Sequence, residues 1–198
     1  MHRAIQCAAG LLALGSLAVG QNYYNIQEVR VSDLPALMAR SKDPSDVLLT
    51  SLDTIFHDRH ICCGKDSALQ DSAQRADPSS LRDIAAALPG RHLLSDGRAI
   101  MVGAEYWDPT AINSGRLIGT LRSKHALLME WNSHLYVCLG VTYRQDYDPG
   151  TGIELDTILK FLLLDTRYSD ARRDLVFNRE TEDWSKVQGM LFLDAKPQ

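Results

Sequence analysis

From Arg91 onward the chain is cut into short apolar runs rich in strand-forming residues, and this pattern constrains the fold more than any other feature. His92-Leu93-Leu94 and Ala99-Ile100-Met101-Val102 flank Ser95-Asp96-Gly97, a turn signal between two runs that predicts a hairpin. His125 to Trp131 and Leu135 to Tyr143 are joined at Asn132-Ser133, and a third run covers Phe161 to Asp165. A final strand is expected from Gly189 to Asp194. The stretch before Arg91 reads differently. Pro35 in the first turn and Asp43-Pro44 at the stop frame a helix from Ser32 to Arg40. Ser45 opens a second, where Val47, Leu48, Leu52, Ile55 and Phe56 recur at helical spacing. Lys65 to Ala73, Ser79 to Leu88 and Ala111 to Arg122 are further helical stretches. Helices first and strands afterwards predict an α+β fold with N-terminal helices packed on a C-terminal antiparallel sheet.

The N-terminus has the three parts of a secretory signal: His2 and Arg3, an apolar stretch from Ala8 to Val19, then Ala18 and Gly20 before Gln21. Residues 1–20 are therefore expected to be removed, leaving 21–198 as one domain outside the cytoplasm, secreted or periplasmic. Gln6, Gly10, Gly15 and Ser16 leave the apolar core shorter than the ~20 residues a membrane span needs. No later segment is apolar for that long, so no stable membrane insertion is expected after cleavage. Without Arg3 the chain has twenty basic residues against 25 acidic ones, a net charge of −5. That sign argues against nucleic acid as a partner.

Export leaves Cys62, Cys63 and Cys138, an odd number, and an oxidising compartment favours one disulfide and one free thiol. Adjacent cysteines rarely satisfy disulfide geometry, so Cys62 with Cys63 is the least favoured bridge. Cys62 with Cys138 leaves Cys63 free, whereas Cys63 with Cys138 removes it from any chemistry. Around the pair runs His57-Asp58-Arg59-His60-Ile61-Cys62-Cys63-Gly64. Imidazole and thiolate are soft-metal ligands for zinc or copper, so His57, His60 and Cys62 are the alternative metal set, although their spacing is compressed and adjacent cysteine ligands are sterically awkward. No organic cofactor is implied.

Three islands share an order: Cys63-Gly64-Lys65-Asp66-Ser67-Ala68-Leu69 at the start of a helix, His125-Ala126-Leu127-Leu128-Met129 entering a strand, and Phe161-Leu162-Leu163-Leu164-Asp165 ending one. In this the chain resembles the papain-like cysteine peptidase superfamily, nearest its bacteriocin-processing, double-glycine branch. The resemblance implies a papain-like fold, Cys63 as nucleophile, His125 as acid and base, and Asp165 as the group that orients the imidazole. A helix N-terminus and a nearby imidazolium both favour the thiolate that attacks a carbonyl. That branch places Gln six residues before its Cys to hold the oxyanion, and Asp directly before it. Here those positions are His57, also able to donate to an oxyanion, and Cys62.

Two functions follow from these residues. One is a secreted thiol hydrolase or transferase acting on a peptide or isopeptide bond in a peptide or protein substrate, with Tyr143 to Gly152 as a candidate lid. The other is a non-enzymatic exported binding domain on the papain-like scaffold that the resemblance implies. They differ in geometry: the enzyme needs the Cys63 sulfur and the Asp165 carboxylate on opposite nitrogens of the His125 ring.

Overall fold

The computed structural model describes residues 24–31, 47–56, 69, 71–72, 75, 80–166, 172–176 and 186–198. Its dominant element is one antiparallel sheet. In chain order the described elements are β1 (Tyr24–Arg30), α1 (Val47–Ile55), α2 (Leu81–Ala87), β2 (Gly90–Leu93), β3 (Ala99–Trp107), a 3-10 turn (Pro109–Ala111), α3 (Ser114–Arg122), β4 (Leu127–Trp131), β5 (His134–Asp148), β6 (Ile153–Leu164), β7 (Arg172–Val176) and β8 (Val187–Pro197). The strands run β2-β3-β8-β4-β5-β6-β7 across the sheet, and β1 pairs with β5.

This corrects the expected α+β, papain-like layout. Strand accounts for 51% of the structure against 26% helix, so the fold is largely β. The strands are also longer than their apolar runs. β5 continues through Asp148 and β6 begins at Ile153, so most of the expected lid from Tyr143 to Gly152 is paired strand closed by a turn at Pro149–Gly152. The physical reason is that ladder hydrogen bonds, not apolar side chains, extend a strand. Polar residues such as Arg144, Gln145 and Asp146 pair with Thr157, Asp156 and Leu155 as readily as an apolar segment does. β1, with the polar sequence Tyr-Asn-Ile-Gln-Glu-Val-Arg, is held in the same way against Gly140 to Asp146.

The predicted hairpin at Ser95-Asp96-Gly97 is present as β2–β3, with Gly97 at φ 86°. Asn132 and Ser133 do join β4 to β5, both at positive φ. The helices predicted near Val47, Leu81 and Ser114 are also found, as α1, α2 and α3. The expected helix at Ser32 to Arg40 and the opening of the one at Lys65 lie outside the described residues.

Neighbouring side chains on a strand point to opposite faces, and this decides where the helices sit. Arg82 of α2 lies over the Tyr106 ring, 5.2 Å from its centre, while Arg116 of α3 lies over the adjacent Trp107 at 4.2 Å. The two helices therefore cover opposite faces of the sheet. Ser80 caps α2 by accepting from the Asp83 amide, and Asn113 caps α3 by accepting from Arg116. Leu81, Ile84 and Leu88 bury one side of α2, and Leu117, Ile118 and Leu121 bury one side of α3. Each such leucine contributes about 1.5–3 kcal/mol. Between the helices β5 is buried on both faces from Tyr136 to Val141. Gly140 is required there, because a Cβ would fall 2.6 Å from the Val29 carbonyl oxygen of β1.

Candidate functional site

The register of the sheet fixes where two of the three resemblance residues stand. Leu127 of β4 pairs with Cys138 of β5, and Cys138 pairs with Leu163 of β6, so these three share a row. His125 precedes Leu127 by two residues, and Asp165 follows Leu163 by two. Both β4 and β6 run antiparallel to β5 and so parallel to each other, which makes the two offsets opposite in direction. With the chain extended for two residues before β4 and one beyond β6, strand spacing and rise put the positions roughly 15 Å apart. That exceeds what an imidazole and a carboxylate can bridge. Among the described residues no hydrogen bond joins the His125 ring to Asp165. The His125 amide donates to the Thr120 carbonyl at 3.2 Å, which ties this residue to the end of α3. Asp165 is wholly buried and engaged in an interaction of its own. Its neighbour Thr166 meets Ser51 of α1, hydroxyl to hydroxyl, at 3.0 Å.

Cys138 occupies the middle of the row as a free thiol with no exposed surface. Burial pushes its pKa up to about 12, and its thiol donates to the Gly140 carbonyl at 3.7 Å. A thiol so raised is protonated at neutral pH and inert as a nucleophile. His57, His60, Cys62 and Cys63 lie outside the described residues, and with them the nucleophile, the oxyanion position and the alternative metal set; the expected bridge from Cys62 to Cys138 is not formed, because Cys138 is free. Among the described residues no group of three or more His, Cys, Asp or Glu side chains converges as a metal site would. No helix among them is long and apolar enough to cross a membrane. His134 opens β5, and its Nδ1 lies 2.8 Å from the Ser133 carbonyl beside it.

What the chain does present is the outer half of the β1–β5–β6 region. Ile26, Tyr147, Ile153 and Leu155 are large apolar side chains exposed there. A polar ladder crosses one side of it. Arg122 donates to the Tyr143 hydroxyl, Tyr143 to Gln27, Gln27 to Gln145, and Gln145 to Glu154. On the other side Arg144 pairs with Asp146 at 2.9 Å. The turn is closed by Asp148, whose carboxylate accepts from the Thr151 hydroxyl and the Gly150 amide and is thereby held below its ordinary pKa. Most residues of this region lie between the apolar runs on which the strand reading rests, and only Tyr143 to Gly152 among them is singled out there, as a candidate lid.

No family model, curated protein or solved structure matches the chain.

Proposed function

We propose that the chain is an exported, non-enzymatic binding domain built on a large antiparallel sheet. The observation that carries this reading is the separation of His125 from Asp165 by two strand spacings and opposed offsets along the sheet. An imidazole that Asp165 does not reach loses the tautomer control that the resemblance assigns to that carboxylate. The exposed apolar side chains of the β1–β5–β6 region supply what a binding domain needs, surface not spent on its own core. The competing reading, a thiol hydrolase or transferase acting through Cys63, requires an activated thiolate.

The two are separated by iodoacetamide labelling of the purified mature protein under native, non-reducing conditions, mapped by mass spectrometry. A binding domain predicts that Cys63 labels slowly, or not at all, and that His125→Ala leaves the rate unchanged. Fast labelling of Cys63 at neutral pH that slows in His125→Ala returns the enzyme reading.

A further inference from the structure

β1 owes little to the core. Asn25, Ile26, Glu28 and Arg30 are exposed, Ile26 by 57%, while Gln27 and Val29 are half-buried. Only Val31, just past the end of the strand, is buried. What holds β1 is its backbone ladder to Gly140–Asp146 of β5, prolonged by the Val31 amide, which donates to the Leu139 carbonyl at 2.7 Å. Glu28 and Arg30 pair with each other, and among the described residues Gln27 is the one β1 side chain hydrogen-bonded to other elements. A segment with so little buried apolar surface opens at lower cost than the sheet around it. The β5 flank beneath it is shaped for a strand. Gly140 makes room for a passing carbonyl, since a Cβ there would meet the Val29 oxygen at 2.6 Å. Opposite residue 27 two donors converge on one oxygen: the Tyr143 hydroxyl donates to Gln27 Oε1 at 2.5 Å and the Arg122 guanidinium donates to it at 3.3 Å. A cation and a hydroxyl aimed at a neutral amide oxygen hold a carboxylate more tightly, because charge-assisted hydrogen bonds are roughly twice as strong as neutral ones.

We infer that β1 is a displaceable strap over a strand-binding site on β5, and that the site takes an extended segment of another protein with an acidic residue where β1 carries Gln27 and an apolar one where the chain carries Val31. This deepens the binding-domain reading and rests on it. The incoming strand inherits the ladder that β1 gives up, so main-chain bonds supply affinity and position 27 supplies selection. Gln145 turns its side-chain amide over to donate to the new carboxylate, giving up a long, exposed bond of 3.3 Å to Glu154. β4 pairs with His134–Cys138 on the same flank of β5, which limits the site to the stretch from Leu139 to Asp146. Being tethered, β1 competes at a high local concentration, so the partner must gain something that β1 lacks. The β1 of a second copy carries the same Gln27 and gains nothing at the two donors.

Two measurements on the full mature chain test this. The Val31 to Leu139 bond sets the hydrogen-bonded pairs at every second residue, so Val29 faces Val141 and Gln27 faces Tyr143 in such pairs. Amide hydrogen exchange read by NMR is expected to be roughly a hundredfold faster at these four amides than in the β4–β5 ladder. The second measurement uses Val29→Pro, which removes a ladder amide from β1 and leaves β5 intact. Two synthetic peptides copy residues 24–31, one with the native Gln27 and one with glutamate in its place. Both are expected to bind Val29→Pro roughly tenfold or more tightly than they bind the unmodified chain, and the glutamate peptide about tenfold more tightly than the glutamine one. Arg122→Gln in the same protein is expected to abolish that preference. β1 amides that exchange no faster than the β4–β5 ladder, peptides indifferent to Val29→Pro, equal affinity for the two peptides, or β1 protection that rises with protein concentration overturns the inference. Should Val29→Pro fail to fold, the exchange rates of the unmodified chain decide alone. Because thiol labelling is independent of β1, a failure here with a slow, His125-indifferent Cys63 sinks the strap proposal alone. Fast, His125-dependent labelling sinks the binding-domain reading itself.

Discussion

Gly189 of β8 lies against the ring of Tyr106 on β3: a Cβ added at Gly189 would meet Tyr106 Cε2 at 2.6 Å. The ring has little freedom to yield, because Arg82 stacks on it and its hydroxyl donates to the Gln188 carbonyl at 3.1 Å. Gly189→Ala should therefore destabilise the fold by about 1–3 kcal/mol, as overpacking does. Thermal unfolding of Gly189→Ala, Tyr106→Ala and the double variant checks it. If the clash is the cause, the penalty of Gly189→Ala shrinks when Tyr106 is absent. Equal penalties in both backgrounds would locate the cost elsewhere.

The turn between β4 and β5 asks both of its residues for the left-handed region, with Asn132 at φ 50° and Ser133 at φ 60°. Two-residue hairpins of this kind favour glycine at the second position. Ser133→Gly relieves the strain and keeps the backbone N–H that donates to the Gln188 side chain. It should raise stability by roughly 0.5–1 kcal/mol, after the extra entropy of the unfolded glycine is subtracted. Chemical denaturation compares the two proteins, and an unchanged midpoint would mean that the turn stores no strain.

Cys138 makes stability fall at alkaline pH. Its thiol titrates near 9.0 in the unfolded chain and near about 12 when folded. The folded pKa is the higher one, so the stabilisation is complete below pH 9.0 and is lost as pH rises from there toward about 12. In that window the unfolded chain sheds a proton that the folded chain keeps, at a slope of about 1.4 kcal/mol per pH unit. Denaturant melts of the native protein and Cys138→Ala at pH 8 and pH 10 should show a smaller alkaline loss in the variant. Parallel losses would place the thiol in contact with solvent.

Glu130 follows the same sign with a different residue. Burial raises its pKa, and only the Leu81 amide at the start of α2, which donates to the carboxylate, opposes this. Ionisation is thus easier in the unfolded chain, so stability from this group is present below the unfolded carboxylate pKa and lost as pH rises through the folded one. Glu130→Gln keeps an acceptor for Leu81 and removes the charge. It should stabilise the protein at pH 7 relative to pH 4, and an effect equal at both pH values would show that the charge carries no penalty.

The sequence made one half of this architecture readable and hid the other for a physical reason. Runs such as His125 to Trp131 announce strands because their faces are buried and their residues fit a pleated surface. Tyr24 to Arg30 becomes a strand through backbone pairing with β5, and Ile153 to Leu159 does so with only a short alternation, Ile153-Glu154-Leu155-Asp156, whose apolar side chains stay exposed. With those two segments unread, helices looked more prominent than they are. The order Cys63, His125, Asp165 was legible, but order along a chain does not fix separation across a sheet. The distance emerges only from the pairing of Leu127, Cys138 and Leu163.

The most direct test of the account is whether the His125 ring and the Asp165 side chain are neighbours in solution. Nuclear Overhauser spectra of the labelled mature protein read this from the His125 ring protons. The account predicts cross-peaks to residues at the end of α3 and the start of β4, and none to the Asp165 β-protons. A cross-peak between the His125 ring and Asp165 would contradict it and restore the orienting pair that the thiol chemistry needs.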